Sequence, residues 1–168
     1  MITKSYKRAL DFVLKWEGGF SNHPDDPGGV TNCGVTQKTY DIYRKKIKKS
    51  LQSVKKISPL EIVDVYDELF WDKIRGDDLK EDVAIALFDW AVNTGVKRAI
   101  RHLQLALLVK EDGVMGPITL KAANECSKNQ LKMFLNIRER FYKKQNKPMF
   151  LRGWLNRLNA LRDYLGLA

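Results

Sequence analysis

The chain turns from helix to loop and back within Trp16-Glu17-Gly18-Gly19-Phe20-Ser21-Asn22-His23-Pro24-Asp25-Asp26-Pro27-Gly28-Gly29-Val30-Thr31-Asn32-Cys33-Gly34-Val35-Thr36. Ahead of this run, residues 4–17 read as an amphipathic helix. At ~100° per residue Glu17 falls within about 40° of Tyr6, Leu10 and Val13, while Arg8 and Lys15 take the opposite face. Gly18 and Gly19 stop the helix. Residues 21–29 are dense in turn formers. Residues 30–36 are short, β-branched and glycine-interrupted, which predicts a small strand or hairpin arm.

Outward from that stretch the patterns are helical. Thr36 is placed to cap a helix running to about residue 50. Ser58-Pro59-Leu60-Glu61 is a capping box with proline at the first helical position, opening a helix to about residue 70. Further helices fit 79–94, 96–109, 117–127, 129–146 and 150–165; Gly116-Pro117 opens one and Lys147-Pro148 closes another. The fold class expected is mainly α, with a small β-hairpin or loop after the first helix and a C-terminal helical bundle. No repeat or low-complexity linker interrupts the chain. A boundary near 94–96, dividing 1–95 from 96–168, is therefore expected to be tight.

The chain has 168 residues, 44% apolar and 30% charged, the usage of a globular protein with a sizeable core. Its 30 Lys+Arg against 20 Asp+Glu give a net charge of +10, which suits anionic partners such as nucleic acid, anionic lipid or an acidic envelope. The longest apolar run, Val83-Ala84-Ile85-Ala86-Leu87-Phe88, is far short of the ~20 residues of a membrane span. The N-terminus lacks the apolar stretch of a secretory signal. Synthesis in the cytoplasm is expected, and Cys33 and Cys126 read as free thiols there.

Glu17 carries the chemistry that can be read from residues alone. It ends an apolar stripe at the last turn of a helix, and both settings disfavour the anion, as a proton donor requires. The plainer reading is a solvated residue at a frayed helix end. A glycosidase also needs a second group to activate water or stabilise positive charge at the sugar, and Asp25 or Asp26 could supply it. Asp beside Pro and Gly is equally ordinary turn chemistry. The acidic spacing is not that of a calcium loop. His23 sits in a turn, and Cys33 has no orienting partner in the pattern of a cysteine nucleophile.

The full run from Trp16 to Thr36 resembles the signature of family 108 glycoside hydrolases, lysozyme-like N-acetylmuramidases often encoded by phages as endolysins. The resemblance implies a lysozyme-like fold and Glu17 as catalytic acid. It also implies that Gly-Gly-x-Thr-x-x-Gly-x-Thr forms a cleft wall carrying Thr31 and Thr36. Downstream, Phe70-Trp71-Asp72, Asp77-x-Leu79 and Leu87-Phe88-Asp89-Trp90-Ala91-Val92-Asn93-Thr94-Gly95 resemble the rest of the catalytic half. Leu103-Gln104, Asp112-Gly113-Val114-Met115-Gly116-Pro117-Ile118-Thr119 and the segment 150–157 resemble a peptidoglycan-binding-type C-terminal region. The lysine-rich stretch 44–56 has no counterpart in that pattern.

The resemblance implies a hydrolase of the β-1,4 bond between N-acetylmuramic acid and N-acetylglucosamine in peptidoglycan, with no metal or organic cofactor. Gly18 and Gly19 would let the glycan approach closely. Asn93 reads either as a helix C-cap or as an amide for a sugar substituent. Trp71 is a candidate for stacking on a sugar ring, whereas Trp90 reads as core. The basic runs 44–56 and 138–163 read as solvated faces, with attraction to an anionic envelope as their functional use. A monomer is expected, reaching the wall through a holin-type pore or a dedicated secretion route. A lytic transglycosylase is the alternative on the same bond. A non-catalytic basic module binding wall or nucleic acid is the alternative of another class, disfavoured because no nucleic-acid motif is present.

Overall fold

The computed structural model describes residues 2–19 and 30–168. It is mainly α. Eight helices are described: α1 Lys4–Trp16, α2 Gln37–Lys46, α3 Pro59–Tyr66, α4 Glu81–Thr94, α5 Val96–Leu107, α6 Pro117–Asn124, α7 Lys128–Lys144 and α8 Pro148–Tyr164. Between α1 and α2 lies an antiparallel pair, β1 Thr31–Asn32 and β2 Val35–Thr36, with Thr31 opposite Thr36 and Asn32 opposite Val35. Cys33 and Gly34 at its tip have φ of 49° and 75°, as a two-residue hairpin turn of this hand demands.

Local chemistry sets most boundaries. The Thr36 hydroxyl accepts from the Thr39 N–H at 3.1 Å and starts α2. Ser58 and Glu61 bond reciprocally at the head of α3, and Ser127 with Gln130 do the same for α7. Pro148 occupies the first turn of α8, so the proline expected to close one helix opens the next. α2 ends at Lys46, short of residue 50, because Lys48 turns into the left-handed region at φ 56°. The helix begun at Pro59 widens into a π turn over Asp67–Trp71.

α4 is the centre. Every residue from Val83 to Ala91 is buried, so this helix has no solvated face over that span. α1 and α5 pack on it, α7 packs on α5, and α8 on α7. The apolar face of α1, Tyr6, Ala9, Leu10, Phe12 and Val13, is buried as its period requires. One apolar cluster runs from Tyr6 to Leu167, across the junction at Gly95. No helix among the described residues is long and apolar enough to cross a membrane.

Three arginines depart from the solvated-face reading of the basic runs. Arg44, Arg138 and Arg157 are buried, at 8%, 0% and 7% exposure. Arg44 bonds the Ser50 carbonyl, the Tyr40 hydroxyl and Glu61. It anchors the lysine-rich stretch to α3. Lys46 pairs with Glu68 at 2.8 Å. Cys33 and Cys126 are both free thiols.

Candidate active site

Glu17 follows the last residue of α1 in an extended conformation, and its N–H closes the helix on the Val13 carbonyl. Its side chain is 20% exposed. The surroundings are not simply the apolar stripe expected from the helix. Arg157 of α8 donates from Nη1 to Glu17 Oε1 at 2.7 Å. The other two contacting donors of the same guanidinium, Nε and Nη2, reach Asp89 Oδ1 at 2.9 and 2.7 Å.

Asp89 is wholly buried in α4, where an unpaired carboxylate would be costly. Its second oxygen takes Arg138 Nη1 at 2.5 Å. Burial favours the neutral acid, but the two guanidinium groups and their hydrogen bonds outweigh it and hold the Asp89 carboxyl below the usual range. Arg138 spends its remaining donors on the Tyr142 hydroxyl, at 3.0 and 2.9 Å, and lies 4.8 Å over the Trp90 ring. Burial alone would lower the Arg157 pKa; the charges of Asp89 and Glu17 raise it instead. The result is an alternating chain of charge, Glu17–Arg157–Asp89–Arg138, from a partly exposed carboxylate into the core.

The hairpin closes on the other side of Glu17. Gly34 approaches so closely that a Cβ there would stand 2.7 Å from Glu17 Oε2 and 2.9 Å from Cδ, and would overlap the Tyr66 hydroxyl. Tyr66 donates to the Cys33 carbonyl at 2.9 Å, tying the hairpin tip to α3. Burial first, and the Glu17 charge second, push its pKa up, so it stays a phenol donor at neutral pH.

Of the other residues singled out in the sequence, Thr31 and Thr36 face each other across the hairpin, and Thr36 is engaged as the α2 cap. Gly18 and Gly19 are exposed, and a Cβ on either would meet none of the described residues within 4 Å. Asn93 is exposed in the last turn of α4, with its amide donated to the Asp89 carbonyl at 2.7 Å; Gly95 is the cap. His23, Asp25 and Asp26 lie outside the described residues.

Trp71 is corrected. Its ring is 1% exposed, 5.2 Å from Tyr6 and 5.4 Å from Phe88, with Nε1 donated to Asp77 at 2.9 Å. It is closed over by Gly76 and has no face for a sugar. Trp90 is core, as read. Gln104, in the C-terminal half, is a buried staple: its amide holds Asp112, Val114 and Thr119, and its carbonyl accepts from Gly113.

Arg157, Asp89, Tyr66 and Gly34 complete the surroundings of Glu17 without having stood out individually in the sequence. Asp89 offered the available signal, since a carboxylate in the middle of an apolar helix requires counter-charge. A recess lined by Thr94, Lys97, Arg98, Arg101, His102 and Glu111 does not include Glu17. Lys97, Arg98 and Arg101 make it a cationic surface, with Glu111 its acidic residue.

With this geometry in hand, the sequence pattern described as Glycosyl hydrolase 108 matches residues 10–95, a little over half the chain and the part that holds Glu17, the hairpin and Asp89. The chain belongs to glycosyl hydrolase family 108. It also resembles the solved structure of Brucella abortus SagA, with 31% identity and a TM-score of 0.83 over 96% of this chain and 93% of that one. No curated protein matches it. The family member described here is a glycoside hydrolase with a mainly α, lysozyme-like fold.

Proposed function

We propose that the protein is a lysozyme-like N-acetylmuramidase, hydrolysing the β-1,4 bond between N-acetylmuramic acid and N-acetylglucosamine in peptidoglycan. The observation that carries this reading is the carboxyl group of Glu17. It stands partly exposed at the head of a buried charge chain, between α8 and the hairpin, beside two exposed glycines at which a Cβ would meet none of the described residues within 4 Å.

Protonated Glu17 gives its proton to the glycosidic oxygen as the bond to C1 breaks and an oxocarbenium-like state develops. Asp89 is unavailable as a second carboxylate, because both its oxygens are taken by arginines. In this reading the partner acid is Asp25 or Asp26, with Thr31 and Thr36 supporting the cleft wall. Gly18 and Gly19 leave room for the glycan strand, and Asn93 is retained as a sugar contact further along α4. The basic surface favours approach to an anionic envelope.

Mass analysis of the fragments released from purified peptidoglycan tests the reaction. Reducing N-acetylmuramic acid ends, one water heavier than the broken chain, are expected. Anhydro ends would make the enzyme a lytic transglycosylase, and intact glycan with cut peptides would overturn the glycosidase reading.

A further inference from the structure

A side chain that hydrogen-bonds Glu17 comes from residue 157, outside the span 10–95 that the family pattern matches. We propose that Arg157 is a positioning residue for the hydrolysis, selecting Oε2 of Glu17 as the oxygen that carries and delivers the proton. The inference rests on the reading of Glu17 as the acid.

The guanidinium is fixed before any substrate arrives. Nε and Nη2 are held by Asp89 Oδ1, while Arg138 fixes Asp89 through Oδ2 and is itself bonded to Tyr142. A planar fork held on one edge has its remaining donor aimed in one direction, and Nη1 points at Glu17 Oε1. An oxygen that accepts an N–H from a cation turns its lone pair toward that cation, so the acidic proton resides on the other oxygen. That oxygen is Oε2. It lies against Gly34, at a place where any other residue would put a Cβ 2.7 Å away.

The proton step then balances. The O–H bond at Oε2 breaks as an O–H bond forms at the glycosidic oxygen, and the electrons of the C1–O bond leave with that oxygen. Water adds to C1, and the proton it releases returns to Glu17 through solvent, so the acid is restored and the net change is consumption of one water. The carboxylate left on Glu17 faces a guanidinium already in place, so the charge created by proton transfer is met without rearrangement. Asp89 needs two cations no more than any carboxylate does. Arg157 links it to a partly exposed acid rather than ending in the core.

The test is steady-state hydrolysis of solubilised peptidoglycan by wild type, Glu17→Gln, Arg157→Met, Arg157→Lys and Arg44→Met, with unfolding midpoints measured in parallel. Arg44 is the structural control: its side chain is 9% exposed against 8% for Arg157, and it is ion-paired with Glu61 instead. Arg157→Met is expected to lose about 100-fold in kcat with KM nearly unchanged, as misplacing a catalytic group does. Arg157→Lys should recover part of kcat, because an ammonium restores one donor but does not span both carboxylates. Arg44→Met should lose stability and keep kcat.

An Arg157→Met enzyme with wild-type kcat overturns the proposal, as does one that loses no more kcat than Arg44→Met at a matched midpoint. If Arg157→Met does not fold, Arg157→Lys decides alone: wild-type kcat overturns the proposal and a reduced kcat at unchanged KM supports it. Activity in Glu17→Gln would defeat the reading of Glu17 itself. An inactive Glu17→Gln beside fully active Arg157 variants would defeat only the role of Arg157.

Discussion

Arg157 Nη1 and Glu17 Oε1 stand 2.7 Å apart although 140 residues separate them in the chain. The ion pair joins the last helix to the end of the first. It makes the two sequence halves, 1–95 and 96–168, contribute to one set of side chains.

Removing charge from the middle of that set should be felt throughout the molecule. Asp89→Asn leaves two buried guanidinium groups facing a neutral amide, and breaking a buried pair in this way costs about 3–5 kcal/mol. Urea unfolding measures it. A loss below about 1 kcal/mol, the usual worth of an exposed pair, would show that the network is not dry.

The same carboxylate sets an acid limit on stability. Burial opposes ionisation of Asp89, but Arg138 and Arg157 prevail and its folded pKa lies below the unfolded value. Such a group contributes its full stabilisation above the unfolded carboxylate range, near 4, and loses it as pH falls through the folded value. Glu61 has the same sign: burial opposes its ionisation, and the bonds from Ser58 and Tyr40 and the Arg44 charge prevail. Unfolding free energy should therefore be level from neutral pH down to about 5 and fall steeply below about 4. A profile flat to pH 3 would contradict this.

Gly34→Ala tests the close approach of the hairpin. The position has φ 75°, where a side chain costs about 1–2 kcal/mol, and the new methyl would press on Glu17 and Tyr66. A folded protein with a modestly lower melting temperature and about 100-fold less activity is expected. Unchanged activity would mean that Glu17 has room to spare.

Much of the fold was legible because it is written in short-range chemistry. Ser58 with Glu61, Pro117 and Thr36 each act within one helical turn, and each marks a boundary where expected. Cys33-Gly34 formed the hairpin tip for a local reason as well. The end of α2 and the π turn after α3 were less legible: Lys48, not a glycine, takes the left-handed position at which its N–H and that of Lys49 close the helix on the Lys45 and Arg44 carbonyls, and Asp67–Trp71 carries no proline or glycine to mark a change of pitch. Glu17 stood out through its motif. Arg44, Arg138 and Arg157 did not, because a buried arginine and a solvated one look alike in a basic run. What distinguishes them is a carboxylate on another helix, and no local pattern reports that.

Trp71 supplies a further check. With its ring enclosed by Tyr6, Phe88 and Gly76, Trp71→Ala should cost about 3–5 kcal/mol as a core deletion. The surviving folded fraction should bind glycan with unchanged KM. A stable Trp71→Ala protein with a raised KM would return the residue to the substrate surface.

Thr36→Ala should cost about 1 kcal/mol through loss of the α2 cap, and Thr36→Ser should restore it. Denaturation midpoints of the two variants measure this. If Thr36→Ser matches wild type in stability but not in activity, the methyl group serves the cleft and not only the helix.

The central claim is that Glu17 delivers the proton to a glycosidic oxygen of peptidoglycan. Mass analysis of muropeptides released from one wall preparation by wild type and by Glu17→Gln tests it most directly. The account predicts reducing N-acetylmuramic acid ends from wild type and no release by a folded Glu17→Gln protein. The same products released at a comparable rate by Glu17→Gln would contradict it.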